Sequence, residues 1–428
     1  MEGLTNVEDL RIETCEELTP LWSNDVGLLQ HLPCLRLLNI SNCSKLVSLV
    51  AKEVEEQLHL GWPSKLKEIK IYDCEVLECL PKAMMHNNTC VEYIRITNCP
   101  SLTYFAVDQL PPMLKRLYIK GCNMLISLDG DDVNNCGSST SLLEHLTISN
   151  CPSLKSLTPS RELPTTLKSL SIENCKNLES IAKSFHHNSS LEVIYIESCE
   201  NLKSLPMGIH NLNHLDRIII SKCQTLVSFP DKGLLPANLR SLWIAECEKM
   251  QVLPNCIQNL TSLQELRIIK CPSINVSFSE VGFPTNLTSL SIDDMASFNE
   301  AFFEWGLYKL TSLKQLDISG HSSHLVSFPV MMLPASLTVL IIRDFLNLKC
   351  LSSKGFQNLA SLLFLFIENC EKLTSFPEDG FSPSFLQLYI RRCPLLEKRC
   401  KKDRGPEWFK IAHVPRVEID GRSIYEPE

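Results

Sequence analysis

Glycine is scarce, at 15 of 428 residues, and the chain has no run of about 18 apolar residues. The first shortage excludes a collagen or glycine-rich linker composition, and the second gives no reason to expect a membrane span. The amino terminus, MEGLTNVEDLRIETC, carries acidic groups and no apolar stretch, so no secretory signal is read there. Cationic excess is also lacking. With 41 Lys plus Arg against 49 Asp plus Glu the net charge is -8, which argues against a general nucleic-acid binder. There is no G-x-x-x-x-G-K loop followed by Ser or Thr, no H-E-x-x-H, no G-x-S-x-G and no G-x-G-x-x-G. Without a phosphate cradle, metal pair or activated nucleophile, no cofactor and no metal are expected, and an enzyme is disfavoured. Disorder is excluded as well, because 44% of residues are hydrophobic and 21% charged. A length of 428 residues exceeds the roughly 250–300 at which one core stops growing, so the chain needs several domains or an elongated repeat.

A repeat is present. The phrase L-x-x-L-x-I-x-x-C-x-x-L recurs, as in LRLLNISNCSKLVSL (35–49), LKSLSIENCKNLESI (167–181) and LRSLWIAECEKMQVLP (239–254). Its copies start at Val7, Leu35, Leu66, Val91, Leu114, Leu143, Leu167, Leu191, Leu215, Leu239, Leu263, Leu287, Leu313, Leu337, Leu362 and Phe385. These are sixteen copies, and from Leu143 to Leu287 every step is 24 residues. Period and phrase are those of a leucine-rich repeat. Within L-x-x-L-x-I the last two apolar residues are two apart, the strand period, so both face one side of a short strand. Such a strand cannot bury that side alone. Stacking copies about 4.8 Å apart pairs their backbones in parallel and makes one continuous core. The expected fold is a leucine-rich repeat solenoid of the α/β horseshoe class, mostly β with few helices, with a parallel sheet on its concave face. Linkers rich in Pro, Ser and Asn predict turns, extended segments and short 3₁₀ pieces opposite the sheet. They alternate between an L-P or F-P kind and an N-L kind, which implies duplication of a two-repeat unit with one phase slip. Residues 1–396 are expected to form the solenoid and 397–428 a carboxyl-terminal cap and tail. In the latter, Trp408, Phe409, Ile411, Val414, Val417 and Ile419 suit a closing strand and lid. The first copy begins within ten residues of Met1, so no amino-terminal cap is read, and the chain is expected to continue upstream or to be truncated there.

Thirteen of the 20 cysteines share one slot, three residues after the last strand apolar: Cys15, Cys43, Cys74, Cys99, Cys122, Cys151, Cys175, Cys199, Cys223, Cys247, Cys271, Cys370 and Cys393. There the chain leaves the strand and turns inward. No C-x-x-C pair supports a metal site, and identical slots do not supply paired bridges, so a row of buried thiols is expected. Thiols without a secretory signal imply a reducing compartment, the cytoplasm or also the nucleus. Met295, His321 and Phe345 take the slot in three later copies, where the row is expected to be irregular. His321 and His324 have metal-ligand spacing, but no acidic or Cys partner lies beside them, so HSSH reads as a solvated turn. His186 and His187 read as exposed linker residues. The basic stretch 397–404 reads as a solvated segment.

Alternate strand residues should face outward on the open side of the sheet. Among them Tyr93, Arg95, Arg116, Tyr118, Tyr195, Arg217, Ile219, Trp243, Arg267, Val339, Ile341, Phe364, Phe366 and Tyr389 are large, and Tyr, Trp and Arg are the residues enriched at interface hot spots. Taken singly, each suits a strand surface without any partner. As a set they point to a protein-binding face. Two groupings stand out by register: Tyr195, Ile219, Trp243 and Arg267, and then Val339, Ile341, Phe364 and Phe366.

The phrase LxxLxIxxCxxLxSLP, the connectors LPNCIQNLTSL (253–263) and FPDKGLLPANL (229–239), and the ending WFKIAHVPRVEID (408–420) resemble the leucine-rich repeat region of plant intracellular nucleotide-binding immune receptors of the coiled-coil type. The resemblance covers essentially the whole chain. It implies a non-enzymatic module of plant innate immunity that senses a pathogen effector, directly or through a guarded host protein, and restrains an upstream nucleotide-binding module. That module and its phosphate loop are not in this sequence, so nucleotide binding and death signalling are not carried over. The alternative is the substrate-recognition arm of a ubiquitin ligase or another cytosolic scaffold. Against it, the repeats of such arms continue after Cys into a helix, and no F-box precedes. A secreted receptor would carry L-x-G-x-I-P, which this chain lacks.

Overall fold

The computed structural model describes residues 5–425 apart from 23–31, 52–62, 82–88, 107–109, 130–141, 159–162, 186–188, 255–256, 276–277, 294–303, 322–323, 329–332 and 353–355. His186, His187 and Met295 therefore lie outside the described residues. The chain divides into two compact units, Met1–Pro236 and Ala237–Glu428.

In the first unit nine five-residue strands stand in chain order: Asp9–Glu13, Leu37–Ser41, Glu68–Tyr72, Tyr93–Thr97, Arg116–Lys120, His145–Ser149, Ser169–Glu173, Val193–Glu197 and Arg217–Ser221. Each pairs in parallel with the next, and equivalent positions face each other, as in Leu170↔Ile194 and Ile172↔Ile196. The second unit repeats the pattern with Ser241–Ala245, Glu265–Ile269, Ser289–Asp293, Gln315–Ser319, Val339–Arg343, Phe364–Glu368 and Gln387–Arg391. Every sequence copy thus carries a strand at its L-x-I. The register is fixed by burial: a slip of one residue would turn every Leu and Ile outward. Leu38, Ile40, Leu242, Ile244 and their equivalents beyond the first rung are enclosed, each worth about 1.5–3 kcal/mol of apolar transfer. Each unit is by itself a parallel-sheet β-solenoid, with almost no helix among the described residues. Opposite the strands run turns and 3₁₀ pieces such as Ile209–Asn211, Ile257–Asn259 and Leu307–Lys309.

Two features of each rung are not apparent in the apolar pattern. Short second strands pair between neighbours, as Pro20–Trp22 does with Ser48–Val50 and Tyr104–Ala106 with Ser127–Asp129. The residue just before the cysteine slot is left-handed on nearly every rung, with Asn42, Asn98, Asn174, Lys222, Glu246 and Asn369 all at φ of 52–55°. Asn, Asp and Gly accept that conformation readily, and Lys222 and Glu246 hold it at some cost. The left-handed step turns the chain off the strand and drops the following thiol into the core.

Among the described residues the cysteines are not joined in disulfides, and of the thirteen in the slot all but Cys15 are buried. Each donates to the carbonyl two residues back, as in Cys43 to Ser41 at 3.5 Å and Cys271 to Ile269 at 3.4 Å. Cys15 departs from the expected inward position because it sits on the first rung, where Val7, Leu10 and Ile12 are likewise only half-buried and a neighbouring rung covers one side alone. Irregularity falls where the slot changes residue. Phe345 is fully buried, and its ring occupies the space a β-carbon on Gly320 would need, 2.4 Å from that position. His321, displaced from the slot, turns outward.

The cap follows. Pro394–Arg399 forms a short helix, and Arg416–Ile419 adds a parallel strand to Gln387–Arg391, itself followed by the antiparallel Arg422–Ser423. Ile411, Val414 and Val417 are buried beneath it. Phe409 is not part of the lid: it is 69% exposed, on the outer side of the turn Trp408–Ile411.

Candidate recognition face

Along most strands buried residues alternate with half-buried or exposed ones, which leaves the first, third and fifth residues on the open face of the ladder. All fourteen residues singled out by sequence lie at such positions, half-buried by their neighbours or, for Arg116 and Arg217, exposed. Rung-to-rung register brings many of them together, although they are 23–25 residues apart in the chain.

In the first unit, Arg95 stands opposite Tyr118, its Cζ 4.5 Å from the ring centroid, and Arg116 lies 5.0 Å over Tyr93. Tyr195 faces Ile219, with Arg217 opposite Val193. The Tyr195 hydroxyl donates to Glu197, which also holds Lys222 at 3.1 Å. That bond to a carboxylate pushes the Tyr195 hydroxyl up to about 12.

In the second unit, Trp243 and Arg267 pair across the ladder with the guanidinium 4.2 Å over the indole, and Glu265 fixes the arginine at 2.7 Å. The indole Nε1 is screened from solvent and has no hydrogen-bond partner. Val339 and Ile341 face Phe364 and Phe366, and Phe366 faces Tyr389, whose ring centroid is 5.2 Å from that of Phe364. This apolar stripe is edged by charge. Arg343 reaches Asp317 at 3.1 Å, and Arg343 and Arg391 lie 5.9 and 5.5 Å over the Phe366 ring. Burial pushes the Asp317 carboxyl above its ordinary value, opposed by the Arg343 charge.

The first sequence grouping divides between the units: Tyr195 and Ile219 belong to one, Trp243 and Arg267 to the other. The second grouping is brought together on one ladder. Sequence also misses acidic neighbours of His321. Its Nδ1 is 3.3 Å from Asp293 and its Nε2 3.6 Å from Asp344, with Ser319 Oγ at 2.9 Å from Nδ1. The aspartates come from adjacent rungs, so only the repeat register could have shown them. Even so, His321 and His324 are exposed, and among the described residues no cluster of three or more His, Cys, Asp or Glu could hold a metal. Among those residues, too, no helix is long and apolar enough to cross a membrane.

The family described as "leucine-rich repeat region" matches residues 142–379. A curated protein of Arabidopsis thaliana named as a disease resistance protein is 39% identical over 120 residues, 28% of this chain and 8% of that one. One from Solanum bulbocastanum, named as the disease resistance protein RGA4, is 38% identical over 55 residues, 13% of this chain and 6% of that one. The chain thus spans less than a tenth of either relative in the matched stretch. Among solved structures, a leucine-rich repeat protein of Leptospira interrogans superposes with a TM-score of 0.47 at 16% identity, covering 98% of this chain and 96% of that chain. YopM of Yersinia enterocolitica gives 0.37 at 18% identity, with 84% and 74% covered. The phrase, the stacked parallel strands and the match to more than half its length place the chain in the leucine-rich repeat family, with its resemblance among curated proteins to plant disease resistance proteins.

Proposed function

We propose that the chain is a non-enzymatic recognition module of plant innate immunity, whose open strand face takes a pathogen effector or a guarded host protein. In this reading it also restrains a nucleotide-binding switch carried elsewhere, in cis or in trans, and works in the cytoplasm or nucleus. The observation that carries it is the open face of the ladder, where aromatic rings, arginines and β-branched residues lie side by side on successive rungs. A face of that composition is what interface hot spots use: Tyr, Trp and Arg with a packed surround. Partial identity to plant disease resistance proteins supports the setting. The row of unbridged thiols supports a reducing compartment.

Affinity capture from effector-challenged plant tissue tests the reading. Trp243→Ala and Phe366→Ala are expected to reduce partner recovery about tenfold or more, the scale of a hot-spot truncation. Both side chains are half-buried on the open face, so thermal stability should stay within about 1 kcal/mol of the parent. Unfolding of either variant would mean that the side chain belongs to the core. Recovery of ubiquitin-ligase core subunits in place of a defence partner would favour the ligase arm.

A further inference from the structure

Three adjacent strands of the first unit, Glu68–Tyr72, Tyr93–Thr97 and Arg116–Lys120, form a cationic and aromatic lattice. Arg95 lies between the rings of Tyr118 and Tyr72, at 4.5 and 5.7 Å, and Tyr93 carries Arg116 at 5.0 Å and Lys70 at 5.7 Å. Cations crowded together would ordinarily be neutralised by carboxylates. Here the nearby ones are engaged: Glu68 holds Lys70 at 2.8 Å, and Glu92 holds Lys67 and Lys115 at 3.0 Å each. Neither Arg95 nor Arg116 has a carboxylate partner among the described residues, and Arg95 Nε is screened from solvent with no hydrogen-bond acceptor. The flanking rungs offer no negative charge at the register of this lattice. Asn39 and Ser41 stand opposite Lys70 and Tyr72, and Thr147 and Ser149 opposite Tyr118 and Lys120. An uncompensated positive patch in a chain of net charge -8 is a local inversion of the protein's field.

Resting on the recognition reading above, we infer that this lattice docks an acidic segment of a partner protein, with its Asp and Glu carboxylates on Arg95 and Arg116. Stacking on a tyrosine covers the flat face of a guanidinium and leaves its edge, where the N–H groups form the fork that matches a carboxylate two-for-two. The rings hold the arginines in place beforehand, so little side-chain freedom is lost on binding. Single-stranded nucleic acid fits less well. Its bases need free ring faces, whereas those of Tyr93 and Tyr118 are overlaid by cations, and the net negative charge opposes the approach of a polyanion.

The test is fluorescence anisotropy on the full chain with three labelled probes: a twelve-residue peptide of alternating Glu and Asp, its Gln and Asn counterpart, and oligouridine. The acidic peptide should bind, weaken as salt is raised, and lose about tenfold or more in affinity in the double variant Arg95→Glu, Arg116→Glu. Arg95→Lys with Arg116→Lys should fall between, because the charge stays and the fork is lost. If the double reversal fails to fold by circular dichroism, Arg116→Glu alone, at the exposed position, carries the test. Equal binding of the amide peptide, no binding of the acidic one, or tighter binding of oligouridine would overturn the inference. The variants leave Trp243 and Phe366 in the second unit untouched. Undiminished capture of the partner by the double reversal, alongside its loss in Trp243→Ala and Phe366→Ala, would defeat the acidic-segment inference and leave the recognition reading standing. Loss of capture in neither set would defeat the recognition reading itself.

Discussion

Raising the pH from 9 towards 12, with reductant present, is expected to destabilise the protein, because several interior thiols, Cys151, Cys175 and Cys199 among them, hold their protons. Burial pushes the Cys199 thiol up to about 12, and a hydrogen bond shared with Cys122 together with burial raises Cys151 to about 12. Cys175 moves the same way, through its hydrogen bond with Cys151 and its own burial. Unfolded, each would ionise near the ordinary thiol value of about 8.5. The sign follows directly. Below that value both states are protonated and the stabilisation is complete; above it the unfolded chain releases protons that the folded chain keeps, so stability falls as pH rises towards 12. Each such thiol costs about 1.4 kcal/mol per pH unit, so Cys151 and Cys199 together remove about 3 kcal/mol per unit. Tyr195, raised to about 12 by Glu197, adds to the loss above pH 10. Urea midpoints at pH 8, 9, 10 and 11 measure the slope. Cys151→Ala with Cys199→Ala should be less stable at pH 8 and have a shallower decline; parallel slopes would show that the thiols titrate normally and are not enclosed.

Glu407→Ala is expected to lower the stability of the second unit by about 3–5 kcal/mol, the cost of leaving one member of a buried ion pair alone. The carboxylate is 5% exposed, accepts the Phe376 N–H at 2.8 Å and holds Lys410 at 3.0 Å. Lys410, 10% exposed, donates in turn to the Phe376 carbonyl at 3.3 Å. Alanine would strand both the ammonium and the backbone N–H where water cannot replace the lost acceptor. These bonds tie the turn Trp408–Ile411 to the rung at Phe376, so the segment around that turn should fray first. Calorimetric melting measures it. Glu407→Leu combined with Lys410→Met should recover a large part of the loss, since the pair itself is replaceable by apolar packing. A change within about 0.5 kcal/mol in Glu407→Ala would place the group in solvent.

The rungs were legible because their signal is local. Leu-x-Ile two residues apart fixes a strand face, and its recurrence every 24 residues or so fixes the partner, so Leu170 meets Ile194 without further information. Cys43 and its equivalents were legible as inward residues for the same reason; Cys15 differs because a neighbouring rung packs on one side of it alone. The left-handed step at Asn42 or Lys222 left only a faint trace, an excess of Asn and Asp before the cysteine, broken by Lys, Glu and Arg. Contacts between rungs were illegible one residue at a time. Asp293 and Asp344 lie 28 and 23 residues from His321, and only superposition of the period brings them to it. Glu407 escaped notice because acidic residues are read as solvated, whereas this one is drawn in by Lys410 and an otherwise unpaired Phe376 N–H. On the open face, the two-residue strand period placed the large side chains at outward positions, whereas the division of the chain between Ile219 and Trp243 leaves no trace in the repeat phrase.

Site-specific photo-crosslinking addresses recognition by the strand face most directly. A benzophenone side chain placed at Phe366, and in a second variant at Val252, which is 47% exposed away from the strand face, is irradiated with the captured partner present. The expected result is a partner adduct from position 366 and none from 252. Adducts from 252 alone, with partner capture undiminished, would contradict it.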